Sequence, residues 1–121
     1  MPRKRSNAPE LRPRIRVLWG DEIALGPGKV ELLEALVETG SLNEAARRLD
    51  MSYMRAWTLV KTMNRCFRQP VAKPSRGGKH GGGMAVTATG LRALKLYREM
   101  EAAALDATAP QWKGLQRLLR R

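Results

Sequence analysis

The chain has 121 residues, enough for one domain with a modest core and too few for two. A hydrophobic content of 43% argues against wholesale disorder, and 23 Lys and Arg against 11 Asp and Glu leave a net charge of +12, which implies a polyanionic partner such as nucleic acid. One Cys and one His exclude an intrachain disulfide and a Cys/His metal cluster, and no apolar run approaches membrane length.

The N-terminus lacks the apolar core of a signal peptide, so a cytoplasmic setting is expected, with no cofactor and no membrane partner. Charge is also unevenly placed. From Arg47 to Arg98 there are twelve Lys or Arg and a single acid, Asp50, whereas Glu31, Glu34 and Glu38 cluster before that stretch.

Residues 1–13 hold Arg3, Lys4, Arg5 and Arg12 among prolines and small polar residues, without periodicity. They predict a mobile arm that either tracks phosphates or acts as a solubilising tail. The run RIRVLW, Arg14 to Trp19, alternates at the strand period, and Glu22 to Leu25 can pair back across Gly20 and Asp21 as a small hairpin. Ile15, Val17 and Trp19 are expected to face inward.

Gly26-Pro27-Gly28 opens a helix to about Thr39, with Val30, Leu33, Leu36 and Val37 as its buried stripe and Gly40 as its stop. Its acidic outer face should point away from any phosphate. Ser41 and Glu44 then form a capping box ahead of Leu42, Ala45, Ala46 and Leu49, a short helix with a narrow apolar stripe. Asp50 and Met51 break the pattern.

Ser52 can cap the next helix, which places Ala56, Leu59, Val60, Met63 and Phe67 on one side. Met54, Arg55, Thr58, Lys61, Thr62 and Arg65 fall mainly on the other. Two small-faced helices joined this closely cross steeply, as in a helix-turn-helix whose second helix enters the major groove. The competing reading is an ordinary helical hairpin with a solvated basic face. Cys66, beside Phe67, reads as packing.

Val71 to Lys73 and Met84 to Thr87 are short strand candidates separated by PSRGGKHGGG. So many glycines oppose a helix but suit a long hairpin tip carrying Arg76, Lys79 and His80. A basic hairpin directly after a recognition helix is the wing of a winged helix-turn-helix; an uncommitted flexible loop is the alternative. The order is not that of a nucleotide-binding loop, since no Ser or Thr follows Lys79.

Thr87 caps a helix running to about Ala107, with Leu91, Leu94, Tyr97, Met100 and Ala104 along it and Leu96, Ala103 and Leu105 widening the stripe. A stripe that wide predicts a second surface to bury, most simply against its twin in a homodimer. Pro110 is expected to start a separate short helix containing Trp112, Leu115, Leu118 and Leu119. The organisation is thus a basic arm at 1–13, a domain at 14–108 and a short helix at 109–121. The fold class is mainly α with small β-hairpins, a winged helix-turn-helix with a long C-terminal dimerisation helix.

SYMRAWTLVKTMN, Ser52 to Asn64, followed by GGKHGGGMAVT, Gly77 to Thr87, and then TGLRALKLY, resembles the N-terminal DNA-binding domain of ModE-type molybdate-dependent regulators. GSLNEAARRL is similar to that domain too and, more loosely, to LysR-type regulators. The resemblance spans roughly Arg14 to Leu105 and implies a winged helix dimer that binds operator DNA. It places Ser52, Tyr53, Arg55 and Lys61 on the recognition helix, Arg76, Lys79 and the glycines on the wing, and Ala56 and Trp57 in helix packing. ModE-type proteins normally continue into a C-terminal oxyanion-binding region; this chain stops at Arg121, so a stand-alone domain without direct molybdate sensing is expected. Asp50 stands where a glycine often makes the turn, and Asp tolerates the left-handed conformation better than most residues.

The expected function is sequence-specific regulation of transcription by a homodimer on double-stranded DNA, with a separate effector-sensing protein as a further partner left open. Ser52 and Tyr53 would position the helix on phosphate, with Met54 beside them. Arg55 and Thr58 would meet base edges, and Lys61 and Arg65 the backbone. Arg76, Lys79 and His80 would act from the wing. A nonspecific architectural nucleic-acid-binding protein is the alternative. No paired carboxylates, no nucleophile with a base and no metal cluster suggest an enzyme.

Overall fold

The structure is a computed structural model that describes residues 8–76 and 83–120. Among them the order is β1 (Val17–Trp19), β2 (Glu22–Leu25), α1 (Pro27–Thr39), α2 (Leu42–Arg48), α3 (Tyr53–Cys66), β3 (Ala72–Ser75), β4 (Gly83–Val86) and α4 (Ala88–Leu118). Two antiparallel hairpins, β1–β2 and β3–β4, flank the helices, which gives the expected winged helix-turn-helix. No described helix is long and apolar enough to cross a membrane.

α1 is the centre of the packing, because α2, α3, α4 and β4 all rest on it. That is why its buried set is wider than one stripe. Val30, Leu32, Leu33, Ala35 and Leu36 are buried, and the expected Val37 instead faces solvent. Each fully buried aliphatic side chain there contributes about 1.5–3 kcal/mol. Gly40 ends the helix at φ 65°, with its N–H on Leu36 O at 2.8 Å.

The β1–β2 hairpin departs from expectation in the same way. β2 lies on α3 and buries Ala24 and Leu25, whereas among the described residues Val17 and Trp19 of β1 are exposed along with Leu18. Only Ile15 of the expected inward set packs against the core. Its carbonyl accepts a 2.8 Å hydrogen bond from the Tyr97 hydroxyl, which ties the N-terminal segment to α4.

α4 differs most from the sequence reading. It is one helix through Pro110, so the break expected there is not made. Leu94 and Tyr97, assigned above to a dimer face, are buried in the protomer's own core. Leu91 and Met100 are exposed and Ala104 is half-buried. Beyond Tyr97 the helix buries no residue, and its distal half carries exposed Leu105, Leu115 and Leu118.

The start of α4 sits very close to the strand before it. A methyl group placed on Gly90 would lie 2.2 Å from the Val71 carbonyl oxygen and 2.6 Å from a Val86 methyl, and the first of these is backbone that cannot swing aside. Gly114, in the same helix, has nothing within 4 Å. Gly90→Ala should therefore destabilise the fold by about 1–3 kcal/mol through overpacking. Gly114→Ala should stabilise it by about 0.5–1 kcal/mol through helix propensity. Urea unfolding midpoints of the two variants check the opposite signs.

Candidate nucleic-acid interface

The helix pair that presents the interface is set by three local devices. Ser41 Oγ accepts from Glu44 N at 3.2 Å, but the Ser41 N–H is taken by Thr39 Oγ1 at 3.2 Å rather than by Glu44. The expected capping box is thus half formed, and Glu44 instead faces Arg47 at 3.3 Å. Asp50 takes φ 55°, the left-handed residue of the turn. Met51 N reaches back to Ala46 O at 3.0 Å. Ser52 Oγ then accepts from Arg55 N at 3.0 Å and starts α3.

α3 buries Ala56, Val60 and Met63, with Leu59, Trp57 and Phe67 packed at the margin of the core. The opposite side is open. Ser52, Tyr53, Met54, Arg55, Thr58, Lys61 and Arg65 are all exposed, and Thr62 is half-buried. Among the described residues neither Arg55 nor Lys61 has an acidic partner. No acid stands in the first turn of α3, whose start is capped by the neutral Ser52 hydroxyl. A shallow cleft beside it is lined by Asn43, Arg47, Ser52 and Tyr53 together with the acid Asp50.

Arg65 is different from its neighbours. It bonds Glu22 of β2 at 2.5 Å, and the Cys66 thiol donates to the other oxygen of that carboxylate at 3.6 Å. The Arg65 hydrogen bond holds the Glu22 carboxyl below its usual range, while burial and then Glu22 push the Cys66 thiol up, keeping it protonated and unreactive. Cys66, expected to pack beside Phe67, is half-buried and held by Glu22 at the margin of the fold.

Two features escaped the sequence reading. Lys29, at the start of α1, is half-buried near this cluster, and desolvation lowers its pKa, with Arg55 adding repulsion and Cys66 and Glu22 opposing the shift. It adds a cation to the flank of α3 from a helix read as acidic. Asn64 is the second. Its side chain donates to Ala72 O at 3.0 Å and accepts from Val71 N at 2.8 Å, fastening α3 to the strand that follows. No periodicity marks either residue.

β3 and β4 pair in register from Ala72↔Val86 to Ser75↔Gly83. Met84 N bonds Gly40 O at 3.0 Å and Ser41 bridges Gly83, so the base of this hairpin is fixed to the α1–α2 corner. Lys73 and Arg76 are exposed on it. Lys79 and His80 lie outside the described residues, as does the stretch of the arm at 1–7.

The acids expected on the outer face of α1 are not idle. Glu38 pairs with Arg48, and Glu34 with Arg98, which also bonds Glu101 at 2.6 Å. These pairs cancel positive charge away from α3.

No family model matches the chain. Among curated proteins it is 38% identical over 78 residues to the molybdenum transport protein ModE of Azotobacter vinelandii, covering 64% of this chain and 29% of that protein. It is 40% identical over 78 residues to the molybdenum-pterin-binding protein MopB of Rhodobacter capsulatus, with the same coverage. Over that stretch the chain is similar to part of ModE-type proteins. To the DNA-binding transcriptional dual regulator ModE of Escherichia coli it is 32% identical over 71 residues, 59% of this chain and 27% of that one. The chain thus spans under a third of the length of the curated relatives it matches. Among solved structures, ArgP from Mycobacterium tuberculosis, a LysR-type protein, matches with a TM-score of 0.50 at 23% identity over 69% of this chain and 28% of that one, a likeness of fold alone.

Two outcomes are expected of this domain. Asn64→Ala should cost about 1–3 kcal/mol, because it leaves the buried Val71 N–H unpaired, and chemical denaturation reads the loss. Glu22 has a depressed folded-state pKa, so its contribution to stability is present above the usual carboxylate pKa and lost as pH falls through the folded value. Wild type and Glu22→Gln should therefore differ in unfolding midpoint at neutral pH and converge in acid.

Proposed function

We propose that this chain is a sequence-specific DNA-binding regulator of transcription. The observation that supports it most is the open face of α3, where Arg55 and Lys61 have no acidic partner among the described residues while Arg48, Arg65 and Arg98 do. Charge left free on one helix face, beside a helix start with no acid in its first turn and a fixed hairpin, suits a polyanion with a groove. The names of the matched relatives include DNA-binding and transcriptional regulators, which favours duplex DNA and a molybdenum-related setting.

In this reading Ser52 and Tyr53 hold phosphate at the start of α3, with Met54, Arg55 and Thr58 toward base edges and Lys61 and Arg65 along the backbone. Arg65 reaches phosphate by exchanging its Glu22 partner. Arg76 acts from the hairpin, with Lys79 and His80 as the expected continuation of that wing. The function is binding without catalysis, in the cytoplasm. Two copies joined through the distal half of α4 would bury Leu105, Leu115 and Leu118 and set two α3 helices about 34 Å apart. A monomer in sedimentation at micromolar concentration would remove that geometry.

The net charge of +12 favours a second reading, architectural binding driven by counterion release. Selection of bound sites from a random duplex library at near-physiological salt separates the two. Enrichment of an inverted repeat is expected; binding without enrichment would favour the architectural reading, and no binding would overturn both. On the enriched site, Arg55→Ala should cost about 1–3 kcal/mol and relax preference at one base pair. A uniform loss across sequences would make Arg55 a phosphate contact.

A further inference from the structure

The helical repeat puts Met54, Thr58, Lys61 and Arg65 on one outward line along α3, with Arg55 to one side. The line is divided. Its C-terminal half is cationic, but its N-terminal half, which a helix of this kind turns toward base edges, carries no charge.

Met54 is 66% exposed, and its thioether offers no donor. Thr58 is exposed, yet its hydroxyl donates to Met54 O at 2.9 Å, and the Thr62 hydroxyl donates to Thr58 O at 3.0 Å. With their hydroxyl hydrogens held by the helix backbone, these threonines present outward only a methyl group and an acceptor lone pair. Such a surface cannot donate to the acceptors of guanine. It suits the one apolar group in the major groove, the 5-methyl of thymine.

We infer that Met54 and Thr58 read thymine 5-methyl groups, so that each half-site contains A·T pairs where the start of α3 enters, next to the pair read by Arg55. The inference rests on the DNA-binding reading above and adds the base chemistry to it. A 5-methylcytosine offers the same methyl group, so bases of that kind should substitute where the paired partner permits.

The test uses the full chain and the duplex enriched by library selection, with each thymidine replaced in turn by deoxyuridine, which removes only the methyl group. Wild type should lose affinity about 4-fold at one or two positions per half-site, the worth of one buried methyl group. Thr58→Ser keeps the hydroxyl and deletes the γ-methyl, and Met54→Ala removes the thioether. Each should bring the ratio of thymidine to deoxyuridine affinity at its own position close to one, with unfolding midpoints showing that both variants are folded. Equal binding of all the deoxyuridine duplexes by wild type would overturn the inference while leaving sequence-specific binding intact. Sensitivity undiminished in both variants would assign the effect to DNA shape and overturn it as well. A library that enriches no site would overturn the DNA-reading proposal and this inference with it.

Discussion

The presentation of α3 depends on how tightly the chain is tied on leaving it. Asn64 grips the backbone of Val71 and Ala72, and Thr87 returns to the same place, its hydroxyl on Pro70 O at 2.6 Å and its N–H on Val71 O at 2.9 Å. Gly90 then lets α4 pass against that carbonyl where any side chain would collide. The end of α3, the start of β3 and the root of α4 thus meet at one residue, Val71, which is fully buried. A single well-packed junction of this kind fixes directions that surface ion pairs, worth about 0–1 kcal/mol each, could not.

Part of the positive charge on this protein is held by acids from its own chain. Glu34, Glu38 and Glu22 each hold an arginine, while among the described residues Arg55 and Lys61 on α3 and Lys73 and Arg76 on the β3–β4 hairpin stand open, as do Arg92 and Lys95 on α4. The pairs reduce self-repulsion around α1 and leave Arg55 and Lys61 available to a polyanion. Glu22 occupies an unusual place in that pattern, since it restrains a cation belonging to the open face itself. Burial first and the same carboxylate second raise the pKa of Cys66, which keeps a thiol beside a basic helix protonated.

Local signals made much of this fold legible. The caps at Ser52 and Thr87, the αL residues Gly40 and Asp50, and the apolar periodicity of α2 and α3 all act within a few residues, and the structure follows them. What was not legible depends on what lies across the fold. Val37 and Leu32 exchange roles because α1 is covered from several directions, and Val17 and Trp19 stay exposed because, among the described elements, β1 packs chiefly on β2. Leu94 and Tyr97 read as a free stripe, but α1 and the N-terminal segment cover them. Pro110 signalled a break, and α4 continues through it despite the lost backbone bond and the crowding of the preceding turn's carbonyl that a proline ring brings. On α3 the exposed residues were foreseen as a set. The partners that separate Arg65 from Arg55 and Lys61 were not, because Glu22 lies 43 residues away.

The central claim is that the open face of α3, with the base of the β3–β4 hairpin, is the surface that meets duplex DNA. Amide chemical-shift mapping of the labelled chain on titration with a selected duplex tests it most directly. The account predicts shifts concentrated at Asn43 to Arg65 and at Lys73 to Arg76, with the acid-paired outer side of α1 around Glu34 and Glu38 unmoved. Shifts centred on that outer side, or on the exposed β1 residues Leu18 and Trp19, would contradict it.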